Sequence, residues 1–182
     1  MSVVRKTTPP AAAEAWQDRL FDSLKRAKVR QVPYVPDAGH ARLIERVHAD
    51  ADMRGIVLTS EQEGVAVCCG AWLGGERAVL LMQSSGVGNC INMLSLVQNC
   101  RFPFVALITM RGEWAEFNQW QVPMGRATAA SLELMGITVV RAEDGDELVE
   151  VVDASLVSAF ESDQSTAVLI SQRMLGRKVW ME

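Results

Sequence analysis

Four short stretches of the chain hold residue types that could do chemistry. In V-P-D-A-G a carboxyl group, Asp37, follows a proline, and in T-S-E-Q-E-G two more, Glu61 and Glu63, open an apolar segment. A desolvated carboxyl can hold or pass a proton near neutral pH. In Q-S-S-G-V-G-N, Gly86 and Gly88 let backbone approach a ligand closely, while Ser85 and Asn89 offer hydrogen bonds. The stretch R-G-E-W-A-E-F-N-Q-W-Q supplies Arg111 as a partner for an anion, the amide of Gln121, and three aromatic rings, Trp114, Phe117 and Trp120.

Each of these has a plain structural explanation beside the chemical one. Ser60 and Glu63 fit a capping box, S-x-x-E, which accounts for Glu63. Glu61 lies outside the box and either complements a helix dipole or carries chemistry. An aspartate after a proline often satisfies its own turn, so Asp37 has the same two readings. The glycine-rich stretch lacks the third glycine of a dinucleotide fingerprint and the lysine of a phosphate loop, leaving a tight strand–helix turn or a cofactor contact. Arg111 suits a salt bridge as well as an anionic substrate. His48 falls on the apolar side of a helical pattern and reads as packed, and the vicinal Cys68 and Cys69 read as small core residues.

These stretches follow strand-like runs. Strands are expected at residues 32–35, 55–58, 78–82, 104–110, 138–141 and 167–170, and helices at 12–28, 41–49, 62–73, 91–99, 126–135 and 146–160. The runs are short, continuous and rich in Val, Leu and Ile, as in strands buried on both faces. Their alternation with helices predicts a three-layer α/β/α domain with a mainly parallel sheet of about six strands, occupying residues 1–182 without a linker or repeat. In such sheets ligands sit beyond the carboxyl ends of the strands, where the four stretches fall.

The composition narrows the class. The chain has 182 residues, 49% of them hydrophobic and 22% charged, with a formal charge of −4. That is enough for one full core and lacks the basic footprint of a nucleic-acid binder. The longest apolar run, residues 104–110, is far short of a membrane span, and the first residues carry no apolar signal-peptide core. The four cysteines, Cys68, Cys69, Cys90 and Cys100, form no C-x-x-C pair and lie apart from His40 and His48, which argues against zinc and for reduced thiols in a cytoplasm.

In order, the chain reads V-P-D, S-E-Q-E-G-V-A-V-C-C-G-A-W-L-G-G, L-M-Q-S-S-G-V-G-N-C-I-N, R-G-E and M-G-R between residues 32 and 140. This series resembles the α subunit of sulfopyruvate decarboxylase and the N-terminal third of phosphonopyruvate decarboxylase, both thiamine diphosphate enzymes. The resemblance implies the domain that binds the aminopyrimidine of the cofactor. It makes Glu61 the carboxyl that shares a proton with the pyrimidine and so activates the cofactor for attack on a 2-oxo acid. Sharing a proton requires an apolar setting, so burial is expected to prevail over the helix dipole at Glu61. The resemblance also makes Asp37 a second active-site carboxyl, and Ser85, Gly86 and Asn89 contacts to the pyrimidine. Arg111 and Gln121 then lie on the substrate side.

Two departures qualify it. The family carries Gln-His a few residues before Met-Gly, where this chain has Trp120 and Gln121, so a sulfonate or phosphonate substrate gives way to a 2-oxo acid with a less charged tail as an alternative. The G-D-G motif that holds Mg²⁺ and the diphosphate is also missing; residues 143–146, E-D-G-D, read as a turn into a helix. No metal ligand is expected on this chain. The implied partner is a β subunit carrying the G-D-G motif, in a hetero-oligomer whose site lies between the two. A scaffold subunit without chemistry and a flavodoxin-like nucleotide binder are the competing classes.

Overall fold

The computed structural model describes residues 15–176. The elements run α1 (Trp16–Arg26), β1 (Val29–Tyr34), α2 (Ala41–Ala49), β2 (Arg54–Val57), α3 (Glu61–Leu73), β3 (Arg77–Ala78), β4 (Leu80–Gln83), α4 (Ser84–Cys90), α5 (Ser95–Cys100), β5 (Phe104–Thr109), α6 (Gln121–Leu134), β6 (Thr138–Ala142), α7 (Gly145–Ser162), β7 (Ser165–Ile170) and α8 (Gln172–Leu175). The sheet order is β2-β1-β4-β5-β7-β6, with β3 beside β1, and every strand pair is parallel. All six residues of β5 are buried, as its run of five apolar residues ending in Thr109 suits a strand covered on both faces.

The helices form two layers. One core gathers Leu20 and Leu24 of α1, Leu43 and Val47 of α2, and Val152 and Leu156 of α7 against one face of the sheet. The other gathers Val65 and Cys68 of α3, Val87 and Cys90 of α4, and Leu132 of α6 against the opposite face. Asp144 caps α7 by accepting from the backbone N–H groups of Asp146 and Glu147, both at 2.9 Å, so E-D-G-D is the helix start its sequence suggested. The expected helix at 12–28 begins, within the described residues, at Trp16.

Three details differ from the sequence reading. The run at 78–82 is two strands, β3 and β4, because β1 shifts register between Val29 and Gln31, which gives seven strands. Ser60 makes no capping bond: its hydroxyl donates to Gln62 Oε1 at 2.8 Å, and Glu63 reaches back to the N–H of Thr59 rather than of Ser60. The stretch S-S-G-V-G-N is not a loop. It is α4, directly continuous with β4, and the helix expected at 91–99 is reduced to a turn followed by α5. Two glycines lower helix propensity, but tertiary packing overrides it here. A Cβ on Gly86 would run into the Glu61 carboxyl, and one on Gly88 would come within 3.0 Å of the Met124 sulfur.

Candidate functional site

The loops after β1, β2 and β5 and the start of α4 after β4 lie at the carboxyl edge of the sheet. Glu61 is the first residue of α3 and only 8% exposed. Asn89, on α4, donates its Nδ2 to Glu61 Oε2 at 3.0 Å, and among the described residues no hydrogen bond reaches Oε1. Gly86 lies against the same carboxyl. Cys90, one residue beyond Asn89, has its thiol pushed up to about 12 by burial and by the charge of Glu61, so it is inert. The expected burial of Glu61 is present, and it comes from the crossing of α3 and α4.

This geometry makes Gly86 a sensitive position. Alanine there favours the helix but displaces the Glu61 carboxyl, which is a movable side-chain end. The expected result for Gly86→Ala is a thermal midpoint at or above that of the wild type together with loss of turnover. A variant that keeps full turnover would show that the Glu61 carboxyl need not stay where α4 holds it.

Asp37 lies after β1 and is tied to the end of β5. Its Oδ2 accepts from the N–H of Gly39 at 3.0 Å and from Thr109 Oγ1, at the end of β5, at 2.8 Å. The local turn and the link to β5 therefore coexist. Behind it lies His40, 1% exposed, whose Nε2 donates to the carbonyl of Leu107 at 3.1 Å while Nδ1 is buried without a partner among the described residues. Burial lowers the His40 pKa, opposed by the charge of Asp37, and the ring is neutral. Sequence reading passed over His40; only its depth reveals it. His48, read as packed, is exposed on α2 with its ring edge against Tyr34, whose hydroxyl lies 2.7 Å from Nε2.

Arg111 is committed within the chain. Its Nε and terminal nitrogen bond Glu116 at 3.1 and 3.3 Å, with side chains only 7% and 3% exposed. Glu116 also accepts from the N–H groups of Gly112 and Asn118 and from Gln172 Nε2. Burial opposes its ionisation, yet these bonds prevail and hold the carboxyl at about 2. Gln172, the first residue of α8, further accepts from the N–H groups of Glu113 and Trp114, both at 3.0 Å. Gly112 turns the chain with φ +76°, where a Cβ would meet the carbonyl of Gln121. Glu116 and Gln172 were missed from sequence; the acid five positions after Arg111 was the one available signal.

Beside this clamp, Asp37, Gly39, Arg111 and Gln172 line a cavity of about 150 Å³. Gln121, the first residue of α6, donates Nε2 to Gln83 Oε1 at 3.2 Å, and Ser85 donates to the same oxygen at 3.2 Å. Gln121 Oε1 is buried without a partner among the described residues. The structure thus joins Glu61 with Gly86 and Asn89, and Ser85 with Gln121. Asp37 and Arg111 share a separate cavity. Trp120 is 89% exposed.

The fold is shared with solved structures at 13% identity. A 2-oxoglutarate:ferredoxin oxidoreductase from Magnetococcus marinus superposes with a TM-score of 0.70, over 92% of this chain and 33% of that one. Benzoylformate decarboxylase from Polynucleobacter necessarius superposes with a TM-score of 0.64, over 92% and 31%. The class is therefore a three-layer α/β domain built on a parallel sheet. No family model matches the chain. The sulfopyruvate decarboxylase subunit alpha of Methanococcus maripaludis is 34% identical over 160 residues, which is 87% of this chain and 93% of that subunit. Phosphonopyruvate decarboxylase of Streptomyces viridochromogenes is 41% identical over 108 residues, 58% of this chain and 27% of that protein. The chain belongs to the sulfopyruvate decarboxylase subunit alpha family.

Proposed function

We propose that this chain is the pyrimidine-binding subunit of a thiamine diphosphate-dependent 2-oxo acid decarboxylase. The observation that carries this reading is the Glu61 carboxyl, buried at a helix start, fixed on Oε2 by Asn89, open on Oε1, and bordered by a glycine where any side chain would intrude. That donor set suits the edge of an aminopyrimidine. When bound, the cofactor supplies the electron sink that accepts the electron pair left by loss of CO₂. With the cofactor bound, Glu61 Oε1 would hold the proton shared with the pyrimidine ring while Asn89 keeps the carboxyl aimed. Ser85 and Gly86 would border the ring. Asp37, with Oδ2 occupied by Gly39 and Thr109, keeps Oδ1 for a proton exchanged with substrate or product.

The diphosphate and its Mg²⁺ belong, in this reading, to a β subunit with the G-D-G motif, and residues 1–182 form one domain of a cytoplasmic hetero-oligomer. Support comes from the subunit designation of the relatives and from the match to 93% of one α subunit against 27% of phosphonopyruvate decarboxylase. Four free cysteines fit a reducing compartment. Among the described residues no helix is long and apolar enough to cross a membrane.

A second reading concerns the substrate. Arg111 is paired with Glu116, and an amide, Gln121, stands where the family carries an ionisable side chain. A 2-oxo acid with a less charged tail than sulfopyruvate fits this edge. Arg111 and Gln121 then shape the substrate side, Arg111 through the wall of the Asp37 cavity. The test is CO₂ release from sulfopyruvate, phosphonopyruvate, pyruvate and larger 2-oxo acids, using the chain alone and co-purified with its partner. The complex is expected to turn over one of them and the isolated chain none. Robust turnover by the isolated chain overturns the two-subunit reading, and a cofactor-loaded complex inert on every acid favours a scaffold.

A further inference from the structure

Strand β5 ends in its one polar residue, Thr109, which is fully buried. Valine has the same branched shape and suits a strand as well, so the hydroxyl is what this position adds. A buried hydroxyl needs an acceptor, and two lie within reach. Asp37 Oδ2 is 2.8 Å away and the carbonyl of Met82 3.4 Å, so the single proton goes to the carboxyl. The other bond to Oδ2, from the N–H of Gly39 at 3.0 Å, comes from the turn of Asp37 itself and fixes the carboxyl only relative to its own loop. An aspartate carboxyl turns broadly about its last torsion, so its plane must be set from outside. Thr109, 72 positions away in sequence, ties it to a strand buried along its whole length, two residues before Arg111. Asp37 and Arg111 line the same cavity, so this bond also sets one wall against the other. A Cβ on Gly39 would come within 2.7 Å of Thr109 Cγ2 and 2.8 Å of Asp37 Oδ2, so glycine there leaves the room the bond needs.

We propose that Thr109 is a positioning residue, whose hydroxyl holds the Asp37 carboxyl in place at this cavity. The proposal rests on the reading of Asp37 as the group that exchanges a proton with substrate or product. Thr109 is closed to solvent and acts through Asp37. Its proton stays on the bond to Oδ2, which leaves Oδ1 as the exchanging oxygen. Without the hydroxyl the carboxyl is free to turn, and a displaced reacting group loses rate more than it loses binding.

The experiment uses the assembled complex and the 2-oxo acid it turns over. Thr109→Val is expected to lower kcat by about 10- to 10²-fold, with KM changed far less. Thr109→Ser, which restores the hydroxyl, recovers most of that loss. Gly39→Ala reaches the same bond without altering β5 and gives a similar loss. Added to Asp37→Ala, Thr109→Val costs nothing more, because no carboxyl is left to hold. Thermal midpoints on the same preparations separate folding from positioning, and Gly39→Ala decides the matter if the valine variant does not fold. The proposal is overturned by a folded Thr109→Val complex with wild-type kcat, by a serine variant no better than valine, or by an equal further loss on top of Asp37→Ala. A wild-type complex inert on every 2-oxo acid overturns instead the proton role of Asp37, and the positioning role falls with it.

Discussion

Glu61→Gln is expected to lower turnover of the assembled complex by about 10²- to 10⁴-fold, the range associated with removing a proton-transfer group. The substitution keeps the length, shape and one acceptor of the side chain, so the bond from Asn89 Nδ2 at 3.0 Å can persist. What it removes is the ability to carry a proton on Oε1. Folding stability should therefore remain close to that of the wild type, and Glu61→Ala, which also abandons Asn89, should lose turnover to a similar degree. Thermal unfolding and steady-state kinetics on the same preparation separate the two effects. Unchanged turnover in a folded Glu61→Gln complex would reduce Glu61 to a helix-dipole residue and favour a scaffold role.

Removing Glu116 should have the largest effect on stability. Glu116→Ala strands the Arg111 guanidinium, 7% exposed, without its counter-charge, and leaves the Gln172 amide and the N–H groups of Gly112 and Asn118 short of an acceptor. Breaking a buried pair on one side costs about 3–5 kcal/mol. At roughly 2–4 °C per kcal/mol for a chain of this size, the thermal midpoint falls by about 6–20 °C. The double variant Arg111→Met with Glu116→Leu should recover much of this, because it leaves no charge uncompensated.

The same pair sets an acid limit. The Glu116 carboxyl, held at about 2 against an ordinary value of 4.5, stays ionised in the folded state over a range where the unfolded chain takes up a proton. Its stabilisation is complete above about pH 5 and is lost progressively as pH falls toward 2. Urea midpoints measured across that range should show a steeper acid loss in the wild type than in the apolar double variant. Parallel curves would mean that the bonds at Glu116 do not favour its ionised form.

Helix α3 and strand β5 were legible because their sequences are locally consistent: an acid-rich first turn before an apolar helix, and five adjacent apolar residues. Helix α4 was not. Gly86 and Gly88 argue for a loop on propensity, and the reason for their helical placement is the approach of Glu61 and Met124, which lie far away in sequence. The capping box failed for a related reason, since Ser60 found Gln62 and Glu63 found Thr59. For Arg111, sequence left an ion pair and an anion site equally open. A left-handed turn at Gly112 and the amide of Gln172 decide it by bringing Glu116 back onto the guanidinium.

By itself, the sequence determined the alternation of buried strands and helices, the order of the four carboxyl-edge stretches, and the family whose motifs they carry. Those properties are local in the chain, set by period, turn chemistry and residue identity. The tertiary structure alone decided that Glu61 is aimed by Asn89, that Arg111 is paired with Glu116, and that His40 is buried with its Nε2 on the Leu107 carbonyl. Each depends on residues brought together by packing, and desolvation and hydrogen-bond partners exist only once that packing has formed.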